Sequence, residues 1–415
     1  MRTVLLVAFH FPPIAGSSGV QRTLRFAQHL PKFGWRPVVL TAQPRAYERT
    51  ALGDGNELPA NLVVHRAFAL DTSRHLSVFG RYPHRLAIPD RWCTWKLWAV
   101  PAAIKIIKQE HVDALWSTFP IATAHAIGLE VAKRTGLPWV AEFRDPMWQG
   151  DYPPDPVQNR VWRTMELAVA KQAARVVVVT PGAKDVYTAR FGPDASKLEL
   201  IENGYDEETF QRAASRVANE TGTDRPFSLV HSGLVYPSER DPSQLFEALA
   251  ALASQGILNA QNFRLVLRAS GNENSYRERL ARMKIDHFVA LAPAVDYLSA
   301  LQEMLSADGL LILQASNCNE QIPAKLYEYL RAGRPILALT DPRGDTARTL
   351  NATGGGMVAR LDSAEDIERA LPMFIDAAQQ NTWQRPSSNV IASYSREALA
   401  GRLARLLDGV VGAAS

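Results

Sequence analysis

Cysteine is scarce in this chain, with only Cys93 and Cys318 in 415 residues. They lie far apart and make no metal-ligand spacing. That excludes a disulfide-stapled scaffold and a thiolate metal centre, and a reduced, cytoplasmic compartment is the simpler expectation. No apolar run approaches the ~20 residues of a membrane-spanning helix. The opening MRTVLLVAFHFPP is apolar over too short a stretch for a secretion signal and has no small-residue cleavage site, so it reads as a first buried strand. Long Lys/Arg runs, fixed-period repeats and low-complexity segments are missing too. The formal charge is only +4, which argues against a nucleic-acid partner. There is no Asp-x-Asp pair to clamp a diphosphate through a metal. Nor is there a G-x-G-x-x-G fingerprint with a downstream acid, which weakens a dinucleotide-dependent oxidoreductase. What remains is a composition of 47% hydrophobic and 21% charged residues, ordinary for a folded chain. At this length it suggests two domains of about 200 residues each.

The stretch from Ser316 to Thr340, SNCNEQIPAKLYEYLRAGRPILALT, reads as a polar loop, a short helix and a buried strand. Pro323 suits a first helical position and Gly333 the residue after a helix end. Ile322, Leu326 and Leu330 recur at i, i+4 and i+8, so one face is buried. Ile336 to Leu339 suits a strand covered on both faces. In an open α/β sheet such a loop-to-helix junction is where ligands bind. Glu320 and Glu328 bracket it, with seven residues between them. At ~1.5 Å per residue the two acids span roughly 10 Å, with the helix's free N–H groups aimed between them. That span suits a nucleotide sugar: diphosphate at the helix start, one carboxylate for sugar hydroxyls and the other for ribose. The same residues also fit a solvated loop acid and a surface helix acid.

Elsewhere, Val4 to Phe9 is a strand, FPPIAGSSG the loop leaving it, and Val20 to Leu30 a helix. Gly16 and Gly19 let that loop approach a phosphate or substrate closely, although many such loops are only tight turns. Pro37–Thr41, Leu62–Phe68, Ala114–Ser117 and RVVVVT are further strands. Between Arg74 and Lys108, Asp90 is the sole acid among seven Arg and Lys residues interleaved with Phe79, Tyr82, Trp92, Trp95 and Trp98. Basic residues mixed with aromatics suit an anionic membrane surface; equally, the Trp side chains could be core and the Arg side chains solvated. WVAEFRDPMW is a strand ending in polar residues, so Arg144 and Asp145 should project at its carboxyl end. There Asp145 could orient or deprotonate a hydroxyl while Arg144 holds a diphosphate or fixes Asp145; a local salt bridge is the alternative. His10, His111, His125 and His231 are each more economically read as structural.

The E-x7-E element followed by G-x-P and an apolar strand resembles the donor-site motif of GT-B retaining glycosyltransferases of glycosyltransferase family 4. PAKLYEYLRAGRPILAL resembles especially the bacterial surface-polysaccharide branch. FHFPPIAGSSGVQRTLRFAQHLPKFGWRPVVLT and KLELIENGYDEETF are similar to the family's opening and to the segment leading out of its first domain. The resemblance implies an α/β fold of the GT-B type, two Rossmann-like domains facing across a cleft. It implies transfer from a nucleotide-sugar donor to a glycan or lipid-linked acceptor in surface polysaccharide synthesis, with retained configuration, no metal cofactor, and the donor's own phosphate oxygen drawing the acceptor proton. Glu320 would contact the donor sugar and Glu328 the ribose. Asp145 and Arg144 would face the acceptor side, Arg240 would neutralise the diphosphate, and Gly233, Lys325, Leu326 and Val295 would complete the donor site. Two departures stand out. Pro323 occupies a position where many relatives have Gly, and Leu234 falls where the family has a second basic residue, for which Lys325 or Arg268 would compensate.

The expected organisation is an acceptor-side domain over residues 1–210, a nucleotide-sugar domain over 211–391 and a C-terminal helix over 392–415 crossing back to the first domain. A nucleotide-sugar epimerase of the same architecture and a non-catalytic partner of another transferase are the alternatives.

Overall fold

The computed structural model describes residues 1–15, 19–50, 58–150, 152–217 and 225–413. The chain forms two compact units, Met1–Asn203 with Arg396–Ser415, and Gly204–Ser395. In the first, seven parallel strands, β1 (Arg2–Val7), β2 (Trp35–Ala42), β3 (Val63–Ala67), β4 (Ala114–Thr118), β5 (Trp139–Phe143), β6 (Arg175–Val178) and β7 (Leu198–Leu200), lie in the order β3-β2-β1-β4-β5-β6-β7. Leu5 pairs with Val38 on one side and Leu115 on the other. The chain winds outward in both directions from β1 and β4, so the carboxyl ends of these strands frame a switch point where an open sheet admits ligands.

The strands read as continuous apolar runs because both faces are covered. Leu5, Val7, Leu40 and Phe143 pack on one face with Trp95, Ile127 and Tyr187. Val4, Leu6, Val39 and Trp116 pack on the other with Leu24 and Phe26 of the helix Gly19–His29, and with Leu399, Leu403 and Leu407 of the last helix, Arg396–Gly412.

The second unit repeats the plan with six parallel strands. They are β8 (Phe227–Ser232), β9 (Phe263–Arg268), β10 (Val289–Ala292), β11 (Gly309–Leu313), β12 (Ile336–Leu339) and β13 (Gly356–Ala359), in the order β10-β9-β8-β11-β12-β13. Its switch point lies between β8 and β11. Ile336–Leu339 is wholly buried, as a strand flanked on both sides must be.

Two sequence expectations shift. The helix after β11 runs Lys325–Ala332 with Ala324 as its cap, because Pro323 O accepts from Leu326 N at 2.9 Å in a tighter turn that precedes it. Pro323 therefore stands before the helix and Glu328 falls in its first turn. The passage between units comes before Phe210, not after it, since the helix Glu207–Ala214 buries Phe210 and Ala213 in the second core beside Leu326 and Leu330. β10 is confined to Val289–Ala292, because Pro293 supplies no ladder donor.

Candidate functional site

At the second switch point, Gly233 follows β8 with φ +122°, and a Cβ there would lie 3.0 Å from Lys325 Nζ. Only a glycine gives that ammonium group this approach to the backbone. Lys325 Nζ also lies 3.3 Å from His231 Nε2, while His231 Nδ1 is 2.9 Å from Leu311 O. A carbonyl only accepts, so Nδ1 carries the hydrogen and Nε2 presents its lone pair to the lysine. Burial, with the Lys325 charge behind it, holds His231 well below its ordinary pKa and neutral. Lys325 is itself pushed down to about 7, by burial first and then by the charge of Arg240, against the pull of Glu328. Arg240 is held by its Nη1 bond to Leu234 O at 3.0 Å and lies over the Tyr236 ring at 5.1 Å. Two cations thus converge at Gly233 on the amino end of a helix.

Glu328, in that helix's first turn, accepts from Tyr297 Oη at 2.7 Å on Oε1. Glu320 is half-buried on the preceding loop. Buried Gln314 braces this loop, its Nε2 donating to Cys318 O and Gln321 O at 2.9 Å each. Asn319 ties the loop to Asp341 Oδ2 at 2.9 Å. Tyr329 Oη accepts from Ser232 N at 3.1 Å and fixes the end of β8 against the helix. Val295 is exposed after β10.

Two sequence assignments change. The Leu326 side chain is fully buried in the core and presents nothing to a ligand. Arg268 cannot replace the cation missing at Leu234, because Glu303 engages it twice, at 2.9 and 2.5 Å, and its Nη1 donates to Pro293 O at 2.8 Å. Sequence reasoning missed Tyr297 and Gln314 and read His231 as structural. Only the position of His231 and Gln314 at strand ends, and of Tyr297 at the start of its helix, could have drawn notice.

In the first unit Arg144 and Asp145 follow β5 directly, at its carboxyl end. A Cβ on Gly19, the first residue of its helix, would lie 2.0 Å from Arg144 Nη1 and 2.9 Å from His10 Nδ1, so the guanidinium rests against this glycine's backbone. Burial and then the Arg144 charge push His10 down to about 4, leaving it neutral. Burial raises Asp145 while Arg144 opposes the rise. Beneath them Glu142 accepts from Arg22 Nη2 at 2.8 Å and Thr118 Oγ1 at 3.0 Å. Arg22 also donates to Glu202 O at 2.6 Å and Ile201 O at 2.8 Å. Gly16 lies outside the described residues.

The basic, aromatic stretch divides. Trp95 is core; Arg91 pairs with Glu48 and Asp71, and Lys96 with Glu130 at 4.0 Å. Phe79 is fully exposed, and Val78, Tyr82, Leu97 and Trp98 are exposed too, with Arg81 and Arg85 alongside. Among the described residues no helix is long and apolar enough to cross a membrane, and no cluster of three or more His, Cys, Asp or Glu side chains is placed to hold a metal.

Residues 18–209 match the family described as Glycosyltransferase Family 4. No curated protein sequence matches. Among solved structures, sucrose-phosphate synthase of Thermosynechococcus elongatus is 14% identical with a TM-score of 0.67, both chains covered in full. Anabaena HepE, solved with UDP, is 16% identical with a TM-score of 0.66 over 99% of this chain and 100% of its own. A Listeria monocytogenes protein described as a UDP-N-acetylglucosamine 2-epimerase is 14% identical with a TM-score of 0.58 over 97% of this chain and 94% of its own. At these identities the likeness is one of fold, and transferases and an epimerase share it.

Proposed function

We propose that this chain, a GT-B glycosyltransferase of family 4, moves a sugar from a nucleotide-sugar donor to a glycan or lipid-linked acceptor of a surface polysaccharide, with retained configuration. The observation that carries the reading is the convergence of Lys325, Arg240 and a helix start at Gly233, with Glu328 one turn along that helix. A leaving diphosphate needs its growing charge neutralised, and fixed cations and helix N–H groups do this without a metal ion. Glu328, oriented by Tyr297, would take the ribose hydroxyls, and Glu320 the donor sugar. Asp145, whose burial favours its protonated form, would orient the acceptor hydroxyl with Arg144 fixing it, while the donor's phosphate oxygen draws the proton. HepE was solved with UDP, which makes uridine nucleotides the first to test.

Thermal-shift screening of UDP, GDP and TDP with their sugars identifies the donor, since a ligand that binds only the folded state raises its stability. With that donor, nucleoside diphosphate should appear only when acceptor from a membrane extract is added. Free epimerised sugar from donor alone would instead establish the epimerase, which the Listeria likeness keeps as the second reading. Donor binding with no transfer under any extract would leave a non-catalytic partner.

A cytoplasmic enzyme acting on a lipid-linked acceptor must meet the inner membrane face. The exposed Phe79, Tyr82 and Trp98 with Arg81 and Arg85 support this. Arg81→Glu with Arg85→Glu should release the protein from anionic vesicles, and unchanged sedimentation would remove the membrane from the proposal.

A further inference from the structure

The second unit carries a cavity of about 790 Å³ lined by Arg216, Arg225, Arg264, Arg268 and Arg334. Its origin is legible in β9. Phe263, Leu265 and Leu267 alternate into the core, so Arg264, Val266 and Arg268 share the opposite face. Val266 joins Val230 and Ala292 as an apolar floor, and the helix Tyr297–Ser306 supplies a wall.

The five guanidinium groups are unequally compensated. Asp308 holds Arg225 by two bonds of 2.7 Å, and Glu303, the sole carboxylate among the described lining residues, holds Arg268. Arg334 donates only to a neutral carbonyl, Leu305 O, at 2.9 Å. Arg216 and Arg264 are exposed and have no carboxylate partner among the described residues. Arginine does not lose its proton, so among the described residues three positive charges face one concave space without a carboxylate partner, and an anion placed among them relieves their repulsion. Planar guanidinium forks match phosphate oxygens in pairs. The volume lies within the range of small-molecule sites, and the apolar floor suits a ring or sugar body.

We infer that this cavity binds a compact organic phosphate carrying at least two phosphate groups, held by Arg216, Arg264 and Arg334 over the Val230–Val266 floor. None of these residues belongs to the donor site around Gly233, so the inference stands apart from the proposed transfer. The test is calorimetric titration of the full chain with fructose 1,6-bisphosphate, with sulfate at equal ionic strength as control. Saturable binding should appear with the bisphosphate and not with sulfate, and should survive in a Lys325→Ala, Arg240→Ala variant that disables the donor cations. It should weaken at least tenfold in an Arg216→Glu, Arg264→Glu variant of unchanged melting temperature, and by an intermediate factor in Arg264→Gln. No binding beyond the sulfate control, loss of binding in the Lys325→Ala, Arg240→Ala variant, or full binding in the Arg216→Glu, Arg264→Glu variant would each overturn the inference.

Discussion

A lysine ammonium held against a glycine, with a neutral histidine on one side and an arginine charge on the other, gives up its proton more readily than it would in water. For Lys325 the midpoint comes down to about 7, so on the proposed reading pH near neutrality decides whether the donor's diphosphate would meet one cation or two. An anion prefers the charged form. Affinity for the nucleotide sugar should therefore fall roughly tenfold between pH 7 and 8.5, and Lys325→Arg, which stays charged, should flatten the profile. Titration calorimetry at several pH values checks both. The sign for stability is opposite. The unfolded chain holds this proton more tightly than the folded one, so Lys325 adds stability as the pH rises from about 7 toward the ordinary 10.5. Glu328→Gln should weaken donor binding by roughly 1–3 kcal/mol, through loss of a charge-assisted hydrogen bond. Tyr297→Phe, which removes only the group that orients Glu328, should cost about 0.5–1.5 kcal/mol by the same measurement. Equal donor affinity in wild type and Glu328→Gln would remove that role.

Among the elements, β5 and the helix Gly19–His29 are joined by the Arg22–Glu142 pair, whose side chains are 7% and 1% exposed. Removing one partner leaves the other charge buried and alone, so Glu142→Ala should destabilise the chain by about 3–5 kcal/mol in denaturant unfolding. Glu142→Gln keeps an acceptor for Thr118 and Arg22 and should cost less. These elements show how far the amino-acid order could be read. The strand Ile336–Leu339 and the polar end of β5 were legible because burial on both faces and placement at a strand's carboxyl end leave local marks. Glu142 in the middle of an apolar strand was a mark as well, but its partner lies 120 positions away and only the winding of the sheet brings it near. The start of the helix Lys325–Ala332 was misplaced for a local reason: Pro323 tolerates both a first helical position and the turn before it. Leu326 was assigned to the donor through the resemblance of its motif, whereas helical spacing alone turns its side chain inward with Ile322 and Leu330.

Each of the two units has its own sheet and its own apolar interior. Calorimetry should resolve two unfolding transitions, and the cognate nucleotide should raise only that of residues 204–395, which hold Gly233, Arg240, Lys325 and Glu328. At a hundredfold excess over Kd the gain is about 2.7 kcal/mol. A single transition shifted as a whole would mean that the units unfold together. Order of synthesis adds a constraint. The helix Arg396–Gly412 supplies Leu399, Leu403 and Leu407 to the interior begun by Val4 and Leu6, yet it is translated after the whole of the second unit. The half made earlier stays unfinished, one flank of its sheet still wet, until the second unit has been translated and the helix beyond it has returned to cover that flank.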